Sequence, residues 1–246
     1  MSKAAAFKVW RSDDAGGHYA DYTVDVVPGM VVLDAIHQIQ ATQAGDLAVR
    51  WNCKAGKCGS CSAEINGNPR LMCMTRLNTL NLLEPVRVEP MRTFPLIKDL
   101  VTDVSWNFKV KKSIRKMTPR PPDAADGTWR MAQRDVDRVQ EFRKCIECFL
   151  CQDVCHVLRD HSKFDEFIGP RYFVYAAQLE MNPIDVADRI PDMKDKAGIG
   201  YCNITKCCTN VCPEHIHITD NAIIPLKERV VSRYYDPVTR LLHMFK

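Results

Sequence analysis

No apolar run in this chain approaches the ~20 residues that span a bilayer, so the sequence predicts a chain that crosses no membrane itself. An apolar signal-peptide core is missing as well. Met1-Ser2-Lys3-Ala4-Ala5-Ala6 leads instead into polar alternation. That lack points to a reducing compartment, where cysteines serve metal or redox chemistry rather than bridging. Charge of one sign is also scarce. A net charge of +4, spread along 246 residues, gives no basic patch for nucleic acid. The length suffices for two modest domains, each with its own core.

What the chain does hold is twelve cysteines in three groups of four. Cys53, Cys58, Cys61 and Cys73 are separated by four, two and eleven residues, the plant-type spacing for a [2Fe–2S] cluster. Cys145, Cys148, Cys151 and Cys155, with gaps of two, two and three, form the bacterial ferredoxin run. The third group is Cys202, Cys207, Cys208 and Cys212, closed by Pro213. Both ferredoxin types in series suit the movement of single electrons along a line.

Counting back from Cys212-Pro213, the bacterial template asks for ligands at 208, 205 and 202, and position 205 is Thr. The last Cys of each run serves the other run's cluster in two-cluster ferredoxins. Cys212 therefore joins Cys145, Cys148 and Cys151 around a [4Fe–4S] cluster, while Cys155 joins Cys202 and Cys208. Three thiolates suit a [3Fe–4S] cluster, a cubane without the corner that Thr205 fails to hold. Cys207 is left over, with a small buried thiol as its ordinary reading.

Other uses of these cysteines fit less well. Disulfides fit poorly with the absent signal peptide. Zinc knuckles also use C-x2-C pairs, but three sulfurs within seven residues suit wrapping a cluster better than pairing knuckles. A Rieske centre needs paired His ligands that the first group lacks. Gly56 and Gly59 would let backbone N–H groups approach sulfide. Lys54 and Lys57 flank the cluster and read as ordinary solvated lysines, with a docking or potential-tuning role as the alternative.

The pattern divides the chain into two domains, residues 1–105 and 106–246. In the first, strands are expected at Ala6–Trp10 and Tyr19–Val26 with a Gly16-Gly17 turn between them. A helix follows over Val31–Gln43, then strands at Ser62–Ile65, Pro69–Met72 and Val86–Val88. Asn66-Gly67 makes a hairpin turn. This is an α+β β-grasp plan with the cluster loop after the helix. The stretch from Lys109 to Pro122 cannot be continuous helix. Beyond it the pattern is helical over Trp129–Lys144, Arg171–Met181 and Thr219–Tyr234. Arg130, Arg134 and Arg138 form an i+4 stripe, and Tyr172, Phe173 and Tyr175 read as core.

In the order of its cysteine runs the chain resembles the iron–sulfur subunit of succinate dehydrogenase and fumarate reductase. Supporting marks are Ile65-Asn66-Gly67-Asn68-Pro69-Arg70, Lys98-Asp99-Leu100-Val101 and Phe167-Ile168-Gly169-Pro170. The resemblance covers nearly the whole chain. It implies a peripheral subunit on the cytoplasmic face of the plasma membrane, between a flavoprotein with covalent FAD and a membrane anchor. Electrons from succinate would pass singly through [2Fe–2S], [4Fe–4S] and [3Fe–4S] to quinone, or in reverse in a fumarate reductase. The organic chemistry would belong to the flavin. Ubiquinone-using members carry Pro and Trp after the position of Cys155, where this chain has His156-Val157-Leu158-Arg159-Asp160-His161-Ser162. The difference favours menaquinone. His156 and His161 are the nearby imidazoles that could carry protons and Arg159 can bond a quinone carbonyl, so these three are the candidate quinone residues; contact with anchor loops or lipid headgroups is the plainer alternative. The iron–sulfur subunit of another flavoprotein complex, a free ferredoxin and a zinc module remain as alternatives, and a brown colour would exclude the last.

Overall fold

The computed structural model describes residues 3–13 and 16–237. It separates into two compact units. The first comprises 1–106 together with 146–154 and 211–213; the second comprises 107–145, 155–210 and 214–246.

The first unit is built on a five-stranded sheet. β1 (Lys3–Asp13) pairs antiparallel with β2 (Gly16–Val26). After α1 (Val32–Thr42) come β3 (Ser62–Ile65), β4 (Asn68–Leu71) and β5 (Val86–Glu89), giving the strand order β2-β1-β5-β3-β4. The β1–β5 pair is parallel and the other pairs are antiparallel. Ala5, Phe7 and Val9 alternate inward along β1, as the two-residue period of a strand requires. On α1 the buried positions Val32, Leu33, Ala35, Ile36 and Ile39 follow helical spacing and join the same core. Fully burying a side chain such as Phe7 or Ile36 contributes roughly 1.5–3 kcal/mol. The Val31 N–H donates to Asp34 Oδ2 at 3.1 Å, which satisfies one donor at the start of α1.

Gly16 and Gly17 are strand residues, paired with Asp13 and Ser12, and not the turn expected of them. Residues 14 and 15 lie outside the described residues. Packing explains Gly17: a Cβ there would lie 2.1 Å from the Trp10 ring. β6 (Leu96–Lys98) and β7 (Val101–Thr102) form a small separate ladder.

α2 (Ser105–Ser113) carries helix through Lys109 to Ser113 and ends there, so the stretch from Lys109 to Pro122 is not continuous helix, as expected. The prolines begin only at Pro119, so nothing forbids helix before them. In the second unit, α3 (Gln133–Gln140) starts later than expected, and a 3-10 turn over Glu141–Lys144 follows it. The indole N–H of Trp129 donates to the Arg120 carbonyl at 2.9 Å, one contact that holds this residue outside the helix. Arg130 therefore precedes the helix, and only Arg134 and Arg138 form the exposed pair on α3.

α4 (Leu150–Asp153) belongs to the first unit, while α5 (His156–Arg159), α6 (Pro170–Glu180) and α7 (Ile190–Asp195) belong to the second. Tyr172 and Phe173 are fully buried and Tyr175 is half-buried. After α8 (Cys207–Asn210), a π-helical turn over Ile218–Ile223 leads into α9 (Ile224–Tyr234). Pro225 has no N–H for a regular i→i−4 bond and its ring crowds the carbonyl four residues back, which interrupts the ladder there. Arg189 is buried within this unit, bonded to Asp185 at 2.8 Å and to the carbonyls of Arg115 and Lys116, each at 2.8 Å.

Candidate iron–sulfur centres

None of the twelve cysteines, all among the described residues, is in a disulfide. Among the described residues, no three His, Cys, Asp or Glu side chains converge as around one metal ion.

The first group lies wholly in the first unit, on the loop before β3 and just after β4. Cys53 is exposed, and its Sγ accepts the N–H groups of Ala55 and Lys57, both at 3.3 Å. Such donors spread the charge of a coordinated thiolate. Cys61 and Cys73 are buried, with the Cys73 N–H 3.5 Å from Cys61 Sγ. Burial pushes the Cys61 thiol up to about 12. A thiolate at that position is stable only against a cationic core, which ferric or ferrous iron supplies. For Cys58 burial works in the same direction, but hydrogen bonds from Ser60 and Cys53 prevail and hold it down to about 6.

The loop is held from both sides. Asp99 is fully buried: its carboxylate accepts the Ser12 N–H at 2.7 Å and the Ala48 N–H at 2.8 Å, with Arg11 Nε at 3.2 Å. This ties the chain entering the cysteine loop to β1. Sequence reasoning caught Asp99 only as part of a family mark, since a lone acid after a Lys gives no local signal of such a role. On the other side, Ser62 Oγ lies 2.9 Å from the Gly59 carbonyl oxygen and 2.8 Å from that of Cys148. Gly59 has φ +68, and a Cβ there would fall 2.6 Å from Cys148 Cα. The backbone of the first group thus packs directly on that of the second.

Of the second group, Cys148 and Cys151 lie in the first unit, as does Cys212 from the third; Cys145 lies in the second. Phe149, between the first pair, adopts a left-handed φ of 62° and caps α4. Thr93 fixes that helix, donating its N–H to Asp153 Oδ1 at 3.1 Å and its hydroxyl to the Asp153 carbonyl at 2.7 Å.

Cys155, Cys202 and Cys208 all belong to the second unit, together with Cys207 and Thr205. Cys155 and Cys208 are buried, and Cys202 is half-buried. Burial raises Cys155 to about 11, with the neighbouring thiols of Cys207 and Cys202 adding to the effect. Here too the chemistry of the donors fits thiolates around iron. Thr205 is exposed, and its Oγ1 donates to Cys207 Sγ at 3.4 Å. Cys207 is half-buried, not the buried thiol expected. Hydrogen bonding with Cys208, Thr205 and His156 holds it down to about 5. A hydroxyl that sequence reasoning passed over, Thr219 Oγ1, sits 3.5 Å from Cys208 Sγ.

His156 opens α5 directly after Cys155, with its ring centroid 6.3 Å from that of His161 and nearly perpendicular to it. His156 and Arg159 are half-buried and His161 is exposed. The three candidate quinone residues therefore sit on one short helix and the turn after it. Among the described residues, no helix is long and apolar enough to cross a membrane.

Two family models match the chain. A model for a 2Fe-2S iron-sulfur cluster binding domain matches residues 6–109, and one for a 4Fe-4S dicluster domain matches residues 141–216. The fumarate reductase iron-sulfur subunit of Mycobacterium tuberculosis is 34% identical over 79% of this chain and 79% of its own length. The succinate dehydrogenase iron-sulfur subunit of Bacillus subtilis is 27% identical over 88% of this chain and 89% of its own. A chain in the structure of the Mycobacterium smegmatis Sdh1 complex in the apo form is 61% identical, with a TM-score of 0.93, covering 97% of this chain and 100% of that one. This chain thus belongs to the family of iron–sulfur subunits of succinate dehydrogenase and fumarate reductase, the electron-transferring part of that oxidoreductase.

Proposed function

We propose that this chain passes electrons one at a time between a flavoprotein subunit carrying covalent FAD and a membrane quinone. Its two parts are read as a β-grasp plant-type ferredoxin domain over residues 1–105 and an α-helical bacterial-type two-cluster ferredoxin domain over 106–246. Cys53, Cys58, Cys61 and Cys73 hold [2Fe–2S]. Cys145, Cys148, Cys151 and Cys212 hold [4Fe–4S], and Cys155, Cys202 and Cys208 hold [3Fe–4S]. Thr205 leaves the last cluster one corner short, and Cys207 stays outside the ligand set. The observation that carries the reading is the set of cysteines in these registers, none in a disulfide, on a chain of this family.

The clusters supply one-electron chemistry, whereas the two-electron organic step belongs to the flavin. The chain's own residues do the rest: they bury the thiolates, aim N–H groups at sulfur and exclude water. His156, Arg159 and His161 form this chain's share of the quinone site, where two imidazoles stand by to move protons. Menaquinone is the favoured quinone and succinate oxidation the favoured direction. The complex sits on the cytoplasmic face of the plasma membrane, held by anchor subunits. The opposite direction is a second reading, supported by the fumarate reductase name of the Mycobacterium tuberculosis relative.

The test is to purify the complex from its own cells, identify the neighbouring chains and bound quinone, and record EPR spectra. A flavoprotein, an anchor and signals of all three cluster types are expected. A colourless protein, or a four-iron terminal centre, would overturn the reading. His156→Ala and His161→Ala should each slow quinone reduction while leaving the clusters loaded; full turnover in both moves the quinone site to the anchor.

A further inference from the structure

We propose that Thr219 is a positioning residue for the terminal cluster, donating a hydrogen bond to the Cys208 thiolate and thereby raising that cluster's reduction potential. The proposal rests on the reading of Cys208 as a ligand of the [3Fe–4S] centre. An iron-bound Cys208 carries no proton. Its sulfur can only accept, so the 3.5 Å contact with Thr219 Oγ1 runs from hydroxyl to sulfur.

The surrounding bonds enforce that direction. The Thr219 N–H donates to Thr209 Oγ1 at 3.1 Å, and the Thr209 hydroxyl donates to Thr219 Oγ1 at 3.1 Å. Thr219 Oγ1 is thus already an acceptor, and its own hydrogen is left for Cys208 Sγ. Thr219 is 1% exposed and Cys208 6%, so water competes little for either atom. Thr219 also has little freedom to turn away. It lies in the π-helical turn over Ile218–Ile223, where Ala222 and Ile223 are buried and Asn221 Nδ2 bonds Glu141. Just before the turn, the His217 N–H bonds Glu141 as well, at 2.9 Å.

Hydrogen bonds to ligand sulfur are among the levers that set cluster potentials. When [3Fe–4S]⁺ takes one electron to become [3Fe–4S]⁰, negative charge grows on the ligand sulfurs. A donor at Cys208 therefore favours the reduced form and makes the terminal centre a better electron acceptor.

The experiment is EPR-monitored redox titration of the purified complex, comparing wild type, Thr219→Val, Thr219→Ser and Thr209→Val. Thr219→Val keeps the shape and removes the donor. At fixed ambient potential it should raise the ratio of oxidised to reduced centre about tenfold, a midpoint lower by about 59 mV for one electron. Thr219→Ser keeps the hydroxyl and should titrate near wild type. Thr209→Val releases the Thr219 hydroxyl to rotate and should shift the midpoint the same way by a smaller amount. An unmoved midpoint in Thr219→Val with the cluster intact, or an equal fall in Thr219→Ser, overturns the proposal. If Thr219→Val fails to assemble, Thr209→Val decides alone: a fall supports the role and an unmoved midpoint refutes it. Absence of the three-iron signal in the wild type overturns the ligand reading instead.

Discussion

Replacing Gly59 by Ala should loosen the [2Fe–2S] loop for two reasons that can be separated. The first is conformational. Gly59 has φ +68, a left-handed backbone that costs an L-residue roughly 1–2 kcal/mol. The second is steric. A Cβ at this position lies 2.6 Å from Cys148 Cα and 2.9 Å from both Cys148 Cβ and Cys148 N. These are mainly backbone atoms of a segment pinned through Ser62, so the clash cannot be relieved by a rotamer change. Overpacking of this kind costs about 1–3 kcal/mol. The sum is about 2–5 kcal/mol, which at roughly 2–4 °C per kcal/mol lowers the melting temperature by about 4–20 °C. Gly29→Ala is the control, because Gly29 also has positive φ (+85) but meets nothing within 4 Å. It should show only the conformational part, about 2–8 °C. Cluster bleaching in the visible during a thermal ramp at one scan rate reads both variants. Equal melting in the two would refute the steric argument, and no loss in Gly59→Ala would refute both parts.

Three further outcomes are expected. Thr205→Cys supplies a thiolate in template register and should convert the three-iron EPR signal to that of a four-iron centre with a lower potential; an unchanged spectrum in iron-replete protein counts against Thr205 as the reason for three irons. Cys207→Ser should retain every cluster signal, whereas Cys208→Ser should lose the [3Fe–4S] signal, and the reverse pattern would put the register wrong by one. Arg189→Leu removes the cation beside the fully buried Asp185 side chain, leaving it only the N–H donors of Thr118 and Ala187, and should destabilise the second unit by about 3–5 kcal/mol in a denaturant titration; a change below about 1 kcal/mol would show that those donors and water suffice for the carboxylate.

Much of the first unit was legible because its sheet obeys simple periodicity. The alternation of Ala5, Phe7 and Val9 and the Asn66-Gly67 turn need no distant partner to be recognised. Gly17 misled because a glycine that makes room for a Trp ring looks, in sequence, like one that makes a turn. In the second unit the helices were visible but their ends were not: Trp129 is held by a carbonyl nine residues earlier, and Pro225 widens the preceding turn without ending the helix. The cysteine registers stood out because ligand spacing is local. The groups supporting them did not, since Asp99 and Thr219 act across 87 and 11 residues and carry no motif of their own.

The assignment of 146–154 and 211–213 to the first unit has a consequence for synthesis. Ile146, Cys148, Leu150 and Val211 pack on the same core as Phe7 and Ile36. A nascent chain of 105 residues can form its sheet, but it still exposes the apolar face that these residues cover. Domains usually mature in the order they leave the ribosome. Here the earliest-made unit is finished only after residue 213 emerges, when most of the second has already been translated. Cutting the gene between the two cysteine-rich halves would therefore yield an N-terminal product with an open, aggregation-prone side, and not a small soluble ferredoxin.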